Sequence, residues 1–98
     1  MEIRLEDYDE KGRAVVLVND QEVGEMTYSK AGTRQIIINH TEVKAFMQGE
    51  GIGRKLLDVI VDFARENELK IIPLCPFAKS EFDKDESIHD VLRPLKMK

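Results

Sequence analysis

The hydrophobic rhythm of the chain changes once, just after residue 50, and that change restricts the fold more than any other feature. Over Arg13 to Asn19, Glu22 to Ser29 and Arg34 to Val43, apolar and β-branched residues alternate with polar ones at a period of two. This is the pattern of strands buried on one face. Asn19-Asp20-Gln21 and Lys30-Ala31-Gly32-Thr33 supply the turns between them. Ile3 to Tyr8 predicts a weaker opening strand, joined to the next through Asp9-Glu10-Lys11-Gly12. The first half is therefore expected to be an antiparallel meander.

Past Gly51 the period becomes helical: Ile52, Leu56, Val59, Ile60 and Phe63 recur on one stripe, widened by Leu57, Val61 and Ala64. The helix should end near Asn67, a residue that tolerates the left-handed C-terminal conformation. Lys70 to Cys75 then reads as a short, nearly continuous apolar strand stopped by Pro76, with Cys75 in a position that favours burial. Strand, helix, strand implies a parallel crossover. Pro76 to Lys98 carries Phe77, Phe82, Ile88, Val91 and Leu92 among charges and predicts one or two short helices. The expected class is α+β, in a single domain over residues 1–98.

At 98 residues, such a chain buries too little surface to enclose a deep cavity alone, so a site should be a groove. A net charge of -4 and a pI near 5.2 argue against nucleic acid as a partner, because phosphate neutralisation needs clustered Lys and Arg. The opening residues lack a signal peptide's pattern, and no apolar run reaches the length of a membrane span. A cytoplasmic setting is expected. The single cysteine, Cys75, can form no internal disulfide and no metal site by itself.

The N-terminus of the long helix is locally inconsistent, which a bound anion explains and which a flexible loop that merely precedes the helix explains less fully. Gln48-Gly49-Glu50-Gly51-Ile52-Gly53 places three glycines in six residues, and each glycine within a helical turn costs roughly 1 kcal/mol against alanine. Phe46 to Gly53 contains no Ser, Thr, Asp or Asn to cap the first N–H groups. Arg54 and Lys55 then set positive charge at the positive end of the helix dipole. A bound phosphate answers all three, since glycine allows close approach and the free N–H groups and dipole favour an anion. The spacing is not the dinucleotide fingerprint, because Leu56 stands where its last glycine would be, and no Gly-Lys-Ser or Gly-Lys-Thr follows as in a P-loop.

The hexapeptide does resemble the signature Gln/Arg-x-x-Gly-x-Gly/Ala of the GNAT superfamily of N-acetyltransferases, with Val43 where those proteins place a hydrophobic strand residue before the turn. His40-Thr41-Glu42-Val43, the glycine turn and Pro73-Leu74-Cys75-Pro76-Phe77 together look like a small GNAT-like subfamily, and the resemblance covers roughly residues 13 to 84. It implies the acyl-CoA N-acyltransferase (GNAT) fold in minimal form, acetyl-CoA as cosubstrate, and an amine acceptor, small or on a protein.

By that resemblance Val43 and Ala45 contact the pantetheine arm, Gln48, Gly49, Glu50, Gly51, Ile52 and Gly53 with Arg54 hold the pyrophosphate, and Cys75 lies near the thioester. Glu42 is the candidate base, with His40 two residues earlier on the same face. Each has a structural alternative: a solvated strand-end charge for Glu42, a hydrogen-bonded structural residue for His40, a packed thiol for Cys75. Cys75 also offers a covalent route in which its sulfur accepts the acetyl group first. The chain departs from many relatives in lacking a tyrosine over Pro76 to Asp83 to protonate the departing thiolate, and in opening with a strand where larger relatives have acceptor-site helices. A module that binds acetyl-CoA without turnover therefore stands beside the enzyme.

Overall fold

The computed structural model describes residues 1–93. Five strands form one sheet in the order β1-β2-β3-β4-β5: β1 Glu2–Asp7, β2 Lys11–Val18, β3 Gln21–Ala31, β4 Gln35–Val43 and β5 Lys70–Pro73. The first four are an antiparallel meander, and β5 joins β4 in parallel after helix α1, Ile52–Glu66. This is the α+β meander, helix and crossover that the change of period predicts. Asn19 and Asp20 both adopt positive φ, 52° and 67°, which gives the β2–β3 hairpin the twist of its strands. The expected C-terminal helices are α2, Pro76–Lys84, and a 3-10 helix over Glu86–Val91; the last part of that stretch, 94–98, lies outside the described residues.

The core lies between one face of the sheet and the helices. Ala14, Val16, Met26, Tyr28, Ile36 and Ile38 meet the α1 stripe of Ile52, Leu56, Leu57, Ile60, Val61 and Ala64, with Phe82 of α2 closing one end. The opposite face is dressed with ion pairs instead: Arg13 reaches Glu6, Glu22 and Glu25 at 2.6–2.9 Å. Tyr28, 1% exposed, donates its hydroxyl to Asp7 at 2.6 Å. Among the described residues no helix is long and apolar enough to cross a membrane.

Two local expectations change. Asn67 is not left-handed (φ −107°); Glu68 takes the positive φ of 57°. Asn67 instead turns its side-chain amide back to the Phe63 carbonyl at 2.9 Å, while Leu69 N–H closes on Ala64 O at 2.8 Å, so the helix end is satisfied without a glycine. Cys75 is not a strand residue either. β5 ends at Pro73 and is an edge strand, and Cys75 is the N-cap of α2. Pro76 accounts for this, since a proline that stops a strand is equally suited to the first helical position.

Candidate functional site

β4 outruns β5. Their pairing stops at Ile38↔Pro73, and the Ile38 carbonyl takes the N–H groups of both Leu74 and Cys75 at 3.1 Å before the chain turns into α2. β4 continues against β3 as far as Val43, so from Asn39 onward its other edge faces no strand among the described residues. A bulge lies at this point. Thr27 opposes His40 and Tyr28 opposes Ile38, leaving Asn39 as the extra residue. Strict alternation from Ile36 and Ile38 would have turned His40 and Glu42 toward α1. With the bulge, Thr41 opposes the core residue Met26 and Val43 opposes Gly24, which abuts Ile52. His40 and Glu42 occupy the ion-paired face, with Nε2 and Oε1 3.7 Å apart.

Beyond Val43 the chain makes a 3-10 turn, Ala45–Met47, and Gln48 folds back, donating its side-chain amide to Val43 O at 3.2 Å. Gly49 and Gly51 carry φ of +88° and +74°, and a Cβ at either would meet nothing within 4 Å. These two glycines are needed for backbone sign. Gly53 is different: its Cβ would lie 2.7 Å from Phe77 Cζ, so α2 requires the glycine there. Gly51 is the N-cap of α1 and offers no side-chain cap, and the first turn has no acidic residue. Among the described residues no protein acceptor stands against the N–H groups from Gly49 to Arg54. Bare amides at a helix start, with open space before the glycines, can take an anion's oxygens.

These amides open on a groove of about 410 Å³ running between the free β4 edge and α2, lined by Thr41, Val43, Met47, Phe77 and Glu81 as well as by Gln48, Gly49, Gly51, Ile52, Gly53 and Arg54. Ala45 and Glu50 are exposed and outside this lining. Cys75, 3% exposed, sits with Sγ 3.0 Å from Thr41 Oγ1 and accepts from Ala78 N–H at 3.5 Å. Arg54 does not point freely at the groove. It pairs with Asp58, Glu81 and Asp85, and hydrogen bonds from Ser87 and then Arg54 hold the Asp85 carboxyl well below the usual carboxylate range. A second groove, about 300 Å³, lies on the ion-paired face and is lined by Arg13, Glu22, Glu25, Glu42 and Lys44. The two grooves thus divide alternate residues at the end of β4 and just beyond it, with Thr41 and Val43 on one and Glu42 and Lys44 on the other.

Sequence reasoning passed over Thr41, Met47, Phe77 and Glu81. Phe77 and Glu81 stand one helical turn apart on α2, a spacing visible in the sequence once a helix is started at Pro76. Thr41 carries no comparable signal, because its face depends on the bulge.

The model of the GCN5-related N-acetyl-transferase family matches residues 6–91. No curated protein matches the chain. Among solved structures, a GCN5-like protein from Staphylococcus aureus is 36% identical, with a TM-score of 0.70 over 95% of this chain and 90% of its own. The ribosomal-protein-alanine N-acetyltransferase of Brucella melitensis biovar Abortus 2308 is similar at 20% identity and a TM-score of 0.64, over 91% of this chain and 66% of its own. An aminoglycoside 6'-N-acetyltransferase complexed with coenzyme A is similar at 15% identity and a TM-score of 0.54, over 59% of this chain and 33% of its own. The last two likenesses concern the fold. With its meander, bulged β4 and uncapped glycine turn matched by a family model over most of its length, the chain belongs to the GCN5-related N-acetyltransferase family.

Proposed function

We propose that this chain, as a single domain over residues 1–98, binds acetyl-CoA and transfers its acetyl group to an amine. One observation carries the proposal: the N–H groups of Gly49 to Arg54 have no acceptor among the described residues and open on a groove beside the unpaired edge of β4. The family supplies the chemistry that fits this geometry, and a relative of the same fold is complexed with coenzyme A. A cytoplasmic location suits the cosubstrate and the lone thiol.

Acetyl-CoA supplies an acetyl group activated as a thioester. The amides of residues 49–54 hold the pyrophosphate by hydrogen bonds reinforced by the α1 dipole. Gln48 braces the turn through the Val43 carbonyl, and the free edge of β4 at Val43, with Ala45 just beyond, offers backbone groups to the pantetheine amides. The amine comes from the opposite face of the sheet. There Glu42, with His40 at 3.7 Å, takes the proton that the amine must lose. Glu22 and Glu25 beside it give that groove a surplus of carboxylates over Arg13 and Lys44, which favours an amine arriving protonated. Cys75 and Thr41 lie where β4 and β5 part, and Cys75 is the candidate sulfur for a covalent route.

The test is release of free thiol from acetyl-CoA over a panel of small amines and peptides. Turnover with at least one amine is expected, and Glu42→Gln should lower it about 10²-fold. One observation favours the second reading, a binding module without turnover: α2 has no tyrosine, and Phe77 and Phe82 are committed to packing on Gly53 and in the core. Saturable CoA binding with no thiol release from any amine selects that alternative.

A further inference from the structure

The geometry points to the Arg54 side chain as a positioning group that braces α2 through Glu81 and Asp85, and so fixes the far wall of the groove, rather than as a ligand of the pyrophosphate. This rests on the acetyl-CoA reading of the groove. All three guanidinium nitrogens are engaged: Nε with Asp58 Oδ1 at 2.9 Å, Nη1 with Glu81 Oε1 at 3.0 Å and Nη2 with Asp85 Oδ2 at 2.5 Å. Asp58 is on α1 itself, Glu81 is on α2, and Asp85 caps the following 3-10 helix by accepting from the Ser87 N–H at 2.9 Å and hydroxyl at 2.7 Å. One side chain therefore ties three elements together.

Its neighbour completes the clasp. Gly53 receives the ring of Phe77, and Arg54 receives Glu81, so adjacent residues of α1 hold two residues of α2 that stand one turn apart and both line the groove. Turning Arg54 to a diphosphate would leave Glu81, its side chain 14% exposed, facing two further negative charges with Lys84 at 3.2 Å its one other cation among the described residues. The carboxylates already outnumber the guanidinium, so its attraction for an added anion is largely cancelled. Among the described residues the backbone amides of 49–54 meet no such competition.

The two roles separate in a titration followed by amide and arginine Nε–H resonances. With CoA added to the wild-type protein, the amides of Gly49 and Gly51 should move while Arg54 Nε–H stays in place. Arg54→Lys keeps the charge but not the three-way fork. It should weaken CoA and pantetheine, which has no phosphate, by the same factor, about fivefold for a misplaced wall. An Arg54 Nε–H shift as large as that of the glycines would overturn the proposal, as would a loss confined to CoA with pantetheine binding unchanged. Equal affinities for wild type and Arg54→Lys would remove the positioning role as well. If CoA leaves Gly49 and Gly51 unmoved in the wild type, the acetyl-CoA reading fails. The brace is then read in the free protein, where Gly53 and Phe77 resonances unchanged by Arg54→Lys contradict it.

Discussion

Gly49, Gly51 and Gly53 look alike in the sequence and answer to different constraints. The first two hold positive φ, and the third makes room for Phe77. Gly51→Ala should therefore cost about 1–2 kcal/mol through the left-handed backbone alone. Gly53→Ala should cost about 1–3 kcal/mol through overpacking, and only the second loss should be relieved by adding Phe77→Leu. Urea denaturation of the two glycine variants, each with and without Phe77→Leu, checks this, and equal behaviour of the two glycines would contradict it. Tyr28 is a second informative residue. Burial, and then the hydrogen bond to Asp7, push its pKa up from the ordinary value of 10.0. The unfolded chain then ionises first, so stability falls as pH climbs above about 10 toward the raised value. Tyr28→Phe should cost about 1–2 kcal/mol at neutral pH and flatten that alkaline loss in denaturation curves recorded against pH. At this scale the sequence located the glycine turn because composition alone marks it. It could not tell which glycine faces open space and which a phenyl ring, because that distinction depends on a helix twenty-odd residues away.

The elements were legible wherever burial is periodic. The meander, α1 and the parallel crossover follow from a period of two, then a helical period, then a short apolar run, because each faces the core with one side. What broke the periodicity stayed hidden. The extra residue at Asn39 leaves no mark in composition, since a bulge alters pairing partners and not residue type. Cys75 reads as a strand residue because Pro76 ends a strand and begins a helix equally well. Deleting Asn39 should leave His40 and Glu42 on their present face while straightening β4 and closing its separation from β5. CoA affinity should fall about tenfold, a loss from misplacement rather than from a missing contact. Near-normal affinity in the deletion variant, measured by calorimetry, would mean that the bulge does not shape the groove.

At the scale of the molecule, one face is packed by helices and the other is held by ion pairs. Exposed ion pairs on both sides of the sheet add a solvent-screened contribution to stability on the acid side. Glu22 is lowered by Arg13, Asp90 by Arg65, and Asp85 by Ser87 and then Arg54. A carboxylate lowered in the folded state contributes stability above its unfolded pKa and loses it as pH falls through the folded one. Unfolding midpoints should therefore be flat at neutral pH and drop below the ordinary carboxylate range, with a shallower drop in Arg13→Gln. The family and the uncapped glycine turn could both be read in the sequence, because three glycines without a capping side chain at a helix start are a local inconsistency visible in composition. The division of β4 between two grooves could not, because it belongs to the sheet as a whole. The most direct test is an amide chemical-shift titration of the intact protein with CoA. Saturable movement of Gly49, Gly51 and Gly53, with Gly32 at the far β3–β4 turn unmoved, is the predicted result. Amides from Gly49 to Arg54 that stay in place at millimolar CoA would contradict it.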